Sequence, residues 1–305
     1  MVCPHATMNA HQLRAFVAVV EAGSFTRAAA HLGIAQPTVT NRIKALEQDL
    51  GAPLLERLLT GVRTTDAGRE LLPYAREIVA LTERATEAVR TRGEPHGRVN
   101  VGSVESLTSY RLLPLIEYLY IRYPQVQVSV RSSDRSNAID GVRDGVLDCA
   151  FFIDVRRADD DLNTKVLCCE PLALVVGPDH PLLRTSGLTL LDLQKTTLIR
   201  CDNAAGYHAR FEDVLGRPGR HTRGRVLDLD SIDATKRSVA HGMGMSLLPA
   251  VAVAKELADG SLCQLLWQTP FQTYTQVAWR RSLIQDPALV TVVTAAAKIV
   301  REQLE

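Results

Sequence analysis

The feature that most constrains this chain is residues 24–47, whose apolar spacing predicts two helices joined by a tight turn. Ser24 can cap the first helix by accepting a free N–H of its first turn, and Gly33 can end that helix in a left-handed conformation. Gln36 and Pro37 open the second helix, where a proline needs no N–H. A helix–turn–helix of this size is typical of units that read DNA, although an ordinary two-helix hairpin has the same pattern.

The second of these helices is predicted to bury Val39, Ile43 and Leu46 and to expose a polar face. Short hydrogen-bonding side chains and cations contact base edges and phosphates in DNA, whereas the plain alternative is a solvated surface. The residues predicted to contact DNA are Ser24, Thr26, Arg27, Gln36, Pro37, Thr38, Thr40, Asn41, Arg42, Lys44, Arg57 and Arg63.

The segments on either side of this helical pair complete a small N-terminal domain. Helical spacing over residues 9–22 predicts a first helix that packs under the other two. Two short extended segments around Gly61 predict a hairpin, or wing, flanked by Arg57 and Arg63. The sequence therefore predicts a winged helix-turn-helix over residues 8–65, with a simple capping hairpin as the alternative to a DNA-contacting wing.

A long helix follows over residues 66–92, with Thr65 as its cap. Its apolar positions recur at alternating steps of four and three, a coiled-coil-like spacing that a lone helix cannot bury. We expect this helix to pair with a second copy, although it could instead pack on its own domain. The predicted dimerisation residues are Leu71, Ala75, Ile78, Thr82, Ala85 and Val89. Residues 93–97 form a hinge rich in glycine and proline.

From residue 98 the pattern changes to alternating strands and helices, which predicts an α/β domain over residues 98–305 with parallel sheets. Strands are predicted at 98–102, 125–130, 148–153, 172–176, 197–200, 226–229, 245–248 and 276–279, and helices at 107–123, 138–144, 207–215, 231–241 and 286–303. These fall into two α/β blocks joined in the middle, which would leave a crevice between them.

Small and polar side chains follow several of these strands, where ligands bind in open α/β sheets. Each could equally be a helix cap or an Asx turn. Glu105 would repel an anion if it pointed into a cleft there. The predicted effector-binding residues are Ser103, Glu105, Ser106, Leu107, Thr108, Ser132, Ser133, Ile153, Cys201, Asp202, Asn203 and Met243.

Composition and motifs exclude several other classes of protein. A hydrophobic fraction of 46%, a charged fraction of 23% and a net charge of +1 fit a globular chain. No dinucleotide fingerprint, phosphate loop, nucleophile elbow or zinc pattern is complete, so we expect no enzyme activity, no catalytic or metal-binding residues and no cofactor. The six cysteines, the lack of a long apolar stretch and the lack of a signal peptide predict a cytoplasmic protein without a membrane partner, with Met8 as a candidate start.

The chain resembles LysR-type transcriptional regulators from Met8 onward. The resemblance is strongest in residues 13–19, 23–29, 36–40, 43–47, 50–51, 55–57 and 65–68, and weaker echoes are found at 112–114, 122–124, 145–148, 180–182 and 242–249. It implies a winged helix-turn-helix, a dimerising linker helix and an effector-binding domain, residues 98–305, like the type 2 periplasmic binding proteins. Such a domain consists of two Rossmann-like subdomains, here about 98–166 with 268–305 and about 167–267. It also implies homodimers or homotetramers, inverted-repeat operators of double-stranded DNA, contact with RNA polymerase, and a small-molecule co-inducer that controls activation or repression.

Two departures from the family pattern matter. The family commonly has Ser-Arg where this chain has Thr40 and Asn41, with Arg42 one position later, so the operator sequence does not carry over. The family usually has Ser or Thr where Glu105 stands, which argues against an anionic effector and makes a cationic or amphoteric one possible. Peroxide-sensing members use a cysteine near Cys201 with a second cysteine shortly after it, but here Tyr207 and His208 follow and no second cysteine lies close by. The rival interpretation is a small-molecule binding protein whose N-terminal helices serve only oligomerisation.

Overall fold

The computed structural model describes residues 8–58, 61–90, 94–133, 135–156, 159–201, 206–216, 225–281 and 286–303. These residues form two compact units, the first ending at Glu94 and the second made up mainly of the chain beyond it. The first unit contains α1 (Ala10–Ala22), α2 (Phe25–Leu32), α3 (Gln36–Leu50), β1 (Leu55–Leu58), β2 (Gly61–Thr64) and α4 (Asp66–Arg90).

The helical pair predicted over residues 24–47 is confirmed. The Ser24 hydroxyl accepts from the Arg27 N–H at 3.5 Å and caps α2. Gly33 ends α2 with a φ of 64°, in the left-handed region that glycine adopts without strain. The second helix continues to Leu50, three residues beyond the segment from which it was predicted.

The predicted wing and core of the first unit are also confirmed. Strands β1 and β2 pair in antiparallel register, and Val39, Ile43 and Leu46 are buried together with residues of α1. The start of α4 lies so close to the chain entering β1 that a Cβ on Gly68 would come within 2.1 Å of the Leu54 carbonyl oxygen. Only glycine fits there without moving the backbone.

The predicted dimerisation residues Leu71, Ala75, Ile78, Thr82, Ala85 and Val89 form one apolar seam along α4. Part of this seam packs inside the first unit. Ala75 is fully buried in the same apolar cluster as α1, and Leu71 packs against that cluster. A second copy could not reach Ala75 in this arrangement, so the alternative of packing on its own domain holds for this part of α4. The exposed part of the seam comprises Ile78, Thr82 and Ala85, and the Val89 side chain lies outside the described residues.

The second unit follows the predicted alternation of strands and helices. In chain order it contains β3 (Gly97–Ser103), α5 (Glu105–Leu107), a π-helical turn (Thr108–Leu112), α6 (Leu113–Arg122), β4 (Val126–Ser132), α7 (Arg135–Arg143), β5 (Cys149–Asp154), β6 (Leu162–Cys169), β7 (Leu172–Val176), a 3₁₀ turn (Pro181–Arg184), α8 (Leu190–Lys195), β8 (Leu198–Cys201), α9 (Tyr207–Val214), β9 (Val226–Leu229), α10 (Ile232–Ala240), β10 (Met245–Pro249), α11 (Ala250–Asp259), β11 (Cys263–Gln264), β12 (Tyr274–Arg280) and α12 (Pro287–Glu302).

These elements build two lobes, each around a five-stranded sheet. The first-lobe sheet has the order β4-β3-β5-β12-β6, and the second-lobe sheet has the order β11-β7-β10-β8-β9. The chain crosses from the first lobe to the second near Glu170 and returns near Thr273. The two-lobed α/β architecture is therefore confirmed.

The expectation of parallel sheets is wrong in part, because each sheet is mixed. Strand β12 runs antiparallel to β5 and β6, and β10 runs antiparallel to β7. The crossing chain supplies these strands, so their direction is set by long-range topology and not by local pattern. The sequence did not predict β6, β11, α8 or α11, and β6 continues to Cys169, beyond the subdomain boundary expected at residue 167.

Candidate DNA interface and ligand cleft

Helix α3 exposes a polar face opposite its buried stripe. Successive residues of an α-helix turn by about 100°, which places Asn41 on the side facing away from the stripe formed by Val39, Ile43 and Leu46. Asn41 is exposed, whereas Arg42 lies beside the stripe and is half-buried. A partner docked on this face would meet Asn41 directly and Arg42 only from the flank.

A shallow cavity of about 450 Å³ borders this face. Within it the Gln36 Nε2 donates a hydrogen bond to the Thr40 hydroxyl at 2.9 Å, which orients the Gln36 amide along the helix. The cavity is lined by Phe25, Gln36, Pro37, Thr40, Asn41, Ile43, Lys44, Glu47 and Leu55. The structure thus brings together five of the residues predicted to contact DNA.

The remaining predicted contacts flank the cavity. Arg63 on the wing is exposed and forms an ion pair with Glu56 at 2.9 Å. Ser24 is engaged as the cap of α2, and the Arg57 side chain lies outside the described residues. Exposed side chains are also found at Thr26, Arg27 and Thr38.

In the first lobe, the predicted strand ends meet at one edge of the sheet. Ser103 ends β3 directly beside Ser132, which ends β4. The Ser133 N–H donates to the Ser103 carbonyl oxygen at 3.0 Å, and β5 brings Ile153 to the same edge. In the second lobe Cys201 ends β8 next to Leu229 of β9. The predicted residues Asp202 and Asn203 lie outside the described residues.

Five of the ten described side chains that were predicted to touch an effector are buried. Glu105, Thr108 and Ser133 are half-buried, and Ser132 is exposed. Exposures of 0–3% are found for Ser103, Ser106, Leu107, Ile153 and Cys201. In this arrangement a ligand has access only to the half-buried and exposed members of the set.

Met243 was wrongly assigned to this site. Strand β10 is parallel to β8 with Met245 opposite Leu198. Met243 precedes β10, whereas Cys201 ends β8, so the two residues lie at opposite edges of the sheet. At roughly 3.3 Å per residue, that register separates them by about 16 Å.

Glu105 is engaged by the second lobe. Its Oε2 accepts a hydrogen bond from the Ile232 N–H at 2.7 Å. Ile232 is the first residue of α10, and the N-terminus of a helix favours a negative charge. The carboxylate that was expected to face a ligand is therefore paired with the partial positive charge of a helix.

A buried lysine, which the sequence did not single out, lies one turn further along α10. The Lys236 ammonium donates to the Tyr110 hydroxyl at 2.7 Å, the Glu256 carboxylate at 2.6 Å and the Ala252 carbonyl oxygen at 3.2 Å. Burial alone lowers the pKa of Lys236, but its hydrogen bonds to Glu256 and Tyr110 outweigh this effect and the pKa is raised. The lysine therefore stays charged, and Tyr110 connects it to the first lobe.

Two further ion pairs organise the cleft and the crossing segments. The Asp154 carboxylate at the end of β5 is 2% exposed and lies 3.1 Å from Nε of Arg210 in α9. Glu170 receives both Nε and Nη2 of the buried Arg111, at 2.9 and 2.8 Å. The Thr275 hydroxyl also donates to Glu170 at 2.8 Å. No local motif predicts these pairs, because their partners are between 56 and 105 residues apart in the sequence.

His208 in α9 is fully buried, and neither ring nitrogen has a hydrogen-bond partner within the described part of the chain. Burial, together with the nearby charge of Arg200, lowers the pKa of His208 to about 3. Across the described ranges, no cluster of three or more histidine, cysteine or acidic residues could hold a metal ion. None of the helices described is both long and apolar enough to cross a membrane.

Comparisons with known proteins agree with both units. Residues 10–69 match the family described as "Bacterial regulatory helix-turn-helix protein, lysR family", and residues 92–300 match "LysR substrate binding domain". An uncharacterised HTH-type transcriptional regulator of Bacillus subtilis, YwqM, is 34% identical over 90% of this chain and 93% of its own length.

Solved structures share the fold. Full-length OxyR from Pseudomonas aeruginosa has a TM-score of 0.74 at 24% identity, covering 96% of this chain and 95% of that one. Full-length CbnR in complex with its target DNA has a TM-score of 0.60 at 24% identity, covering 95% and 99%.

A winged helix-turn-helix joined to a two-lobed α/β domain, with these matches, defines a DNA-binding transcriptional regulator. The chain belongs to the LysR family. Its relatives are regulators and not enzymes.

Proposed function

We propose that the chain binds inverted-repeat operators as a homo-oligomer and changes their transcription when a small molecule binds between the lobes of the second unit. The exposed polar face of α3, with the wing beside it, carries the DNA part of the proposal. Gln36, Thr40 and Asn41 are assigned to base edges in the major groove. Arg42, on the flank of α3, and Arg63, on the wing, are assigned to phosphates.

Footprinting on the DNA upstream of the gene tests this proposal. We expect two protected half-sites, and gel-shift titration should show that Arg42→Ala weakens binding to all sequences. Because Arg42 is assigned one phosphate, its loss should flatten the salt dependence by about one unit. His31→Ala, an exposed change on α2, is the matched control. An absence of any protected region would favour the rival interpretation, in which the N-terminal helices serve only oligomerisation.

The exposed seam of α4 supports a homodimer, and a homotetramer would be a pair of such dimers. A charge at Ile78 should oppose pairing, because this exposed side chain continues the apolar seam. Light scattering should therefore give a lower mass for Ile78→Glu than for the wild type. The neighbouring exposed change Glu77→Gln is the control and should leave the mass unchanged. Equal masses for all three proteins would exclude the seam as an interface.

The effector is proposed to bind where the strand ends of both lobes converge. The carboxylates of Glu105 and Asp154 lie at this cleft together with the cations Arg210 and Lys236, which favours an amphoteric ligand over a purely anionic one. A thermal-shift screen of the full chain with cationic, amphoteric and anionic metabolites tests this, because a ligand that binds the folded state raises the melting temperature. Hits confined to anions would contradict the assignment. Contact with RNA polymerase is proposed only from family membership.

A further inference from the structure

We propose that a polar clasp holds the two lobes of the second unit shut. The clasp consists of the contacts Glu105–Ile232, Tyr110–Lys236 and Asp154–Arg210. It rests on the proposed function, because it controls access to the cleft where the effector is proposed to bind. A ligand must then compete with the chain's own side chains, and opening of the clasp precedes its entry.

One side of the clasp inserts a first-lobe side chain into the second lobe. The Tyr110 ring packs against the apolar cluster that contains Cys201 and Ile232, and the Lys236 ammonium lies 5.1 Å from its ring centre. At the same edge Glu105 caps α10 through the Ile232 N–H. Closure therefore packs a tyrosine against the apolar cluster to which the end of β8 belongs, and it completes the start of α10.

The energetics of Lys236 favour the closed arrangement. Its side chain is only 8% exposed, and the oxygens of Tyr110, Ala252 and Glu256 accept its hydrogen bonds. Withdrawing Tyr110 would remove one acceptor from a buried charge, and an unsatisfied charged group in an interior is costly. The same movement would free the Ile232 N–H.

The other side of the clasp lies on the opposite face of the second-lobe sheet. Helix α9, which carries Arg210, packs with Phe211 into one apolar cluster, whereas Ile232 of α10 belongs to the cluster on the other face. Arg210 reaches across to the buried carboxylate of Asp154, and this contact between the lobes would be broken if the lobes parted. Contacts on both faces oppose hinge opening better than contacts on one face.

The π-helical turn at Thr108–Leu112 connects the clasp to the crossing segments. Its consecutive residues Tyr110 and Arg111 serve different parts of the fold, because Tyr110 bonds to the second lobe and Arg111 to Glu170 where the chain crosses. Single π turns within helices occur frequently at functional sites. A shift of this turn would move the clasp and the crossing segment together.

Thiol labelling of the full chain with N-ethylmaleimide, read by peptide mass spectrometry, tests the clasp. Cys201 is 1% exposed and reports opening, exposed Cys169 reports reagent activity, and Cys149, 0% exposed within the first lobe, reports unfolding. In the wild type Cys201 should react far more slowly than Cys169. In the double variant Glu105→Ala/Tyr110→Phe, Cys201 should react at least about tenfold faster, the size expected for loss of a hydrogen bond to a charged group.

The matched control is Asp233→Ala/Tyr118→Phe, which removes an exposed carboxylate of α10 and a hydroxyl of α6 outside the clasp. Its Cys201 rate should equal that of the wild type. The proposal is overturned if wild-type Cys201 reacts as fast as Cys169, or if the clasp variant shows no acceleration. A faster reaction of Cys149 as well would show that the double variant unfolds. In that case the single variants Tyr110→Phe and Arg210→Gln are labelled instead, and the proposal is overturned if neither of them accelerates the reaction of Cys201. Footprinting on the same samples separates a failure of DNA binding from a failure of the clasp.

Discussion

The polar residues of α3 and those of the cleft differ in how their hydrogen bonds are used. On α3 the side chains of Asn41 and Lys44 are exposed. In the cleft, the carboxylates of Glu105 and Asp154 and the ammonium of Lys236 are bonded to groups of the opposite lobe. Under the proposed function, the exposed face of α3 can bind DNA as it stands, whereas a ligand of the cleft first has to break contacts between the lobes.

This difference predicts how each region responds to substitution. A polar side chain in water has solvent as a substitute partner, so its loss affects binding more than folding. A polar side chain in the interior has no substitute, so its loss leaves a partner unsatisfied. Both regions are built from similar side chains, and burial decides what each one does.

The largest expected effect comes from the buried ion pair at the crossing segment. Glu170→Gln should lower the free energy of unfolding by about 3–5 kcal/mol, because Arg111 would keep its buried charge without a counter-charge. The same change at the exposed pair, Glu56→Gln, should cost less than about 1 kcal/mol. Urea denaturation of the two variants measures both values, and similar losses would contradict the contrast between the regions.

The next effect concerns acid sensitivity. The pKa of His208 is about 3 in the folded chain and about 6.5 when unfolded. Below pH 6.5 the unfolded state therefore binds a proton that the folded state does not, and stability falls as the pH falls. Between pH 7 and pH 5 this group should remove about 2 kcal/mol. His208→Leu should abolish that component in urea titrations at the two pH values, and an unchanged difference would exclude His208 as its source.

An effect of comparable size, which depends on the DNA sequence, is expected on the exposed polar face of α3. Asn41→Ala should change the preference among operator bases by about 1–3 kcal/mol without changing the melting temperature. Competition gel shifts with single-base operator variants measure the preference. Uniform weakening on every operator would show that Asn41 contacts the backbone instead of a base.

The smallest effect is expected on the wing. Arg63→Ala should reduce affinity equally for all sequences and flatten the salt dependence by about one unit if Arg63 meets one phosphate. Its exposed pair with Glu56 should add little to folding. An unchanged salt slope would place Arg63 away from the DNA.

The first unit could be predicted from sequence almost completely, because its signals are local. A cap at Ser24, a left-handed glycine at Gly33 and an apolar stripe fix the helical pair within a few residues. Local spacing could not show that Ala75 packs on its own domain, because burial depends on the neighbouring helix α1.

The cleft was predictable only in part. Ser103, Ser132 and Cys201 could be identified as candidate cleft residues, because a sequence shows which residues stand at the end of a predicted strand. Their closed state was not predictable, because it depends on pairs such as Tyr110 and Lys236, which lie 126 residues apart. The mixed direction of both sheets escaped prediction for the same reason.

The π turn at Thr108–Leu112 has a consequence for how the chain can change in length. A π turn holds one residue more than the α-helical turn that it replaces. Deleting a single residue there would restore α-helical hydrogen bonding, and the segments before and after the turn would keep close to their present directions, because a π turn holds its additional residue as a local widening of the helix. Such a deletion would displace Tyr110 and Arg111, which lie within the turn and bond to different partners. A one-residue deletion at this turn would therefore disturb the two contacts that the turn itself supplies while leaving Glu105 and α6 in place.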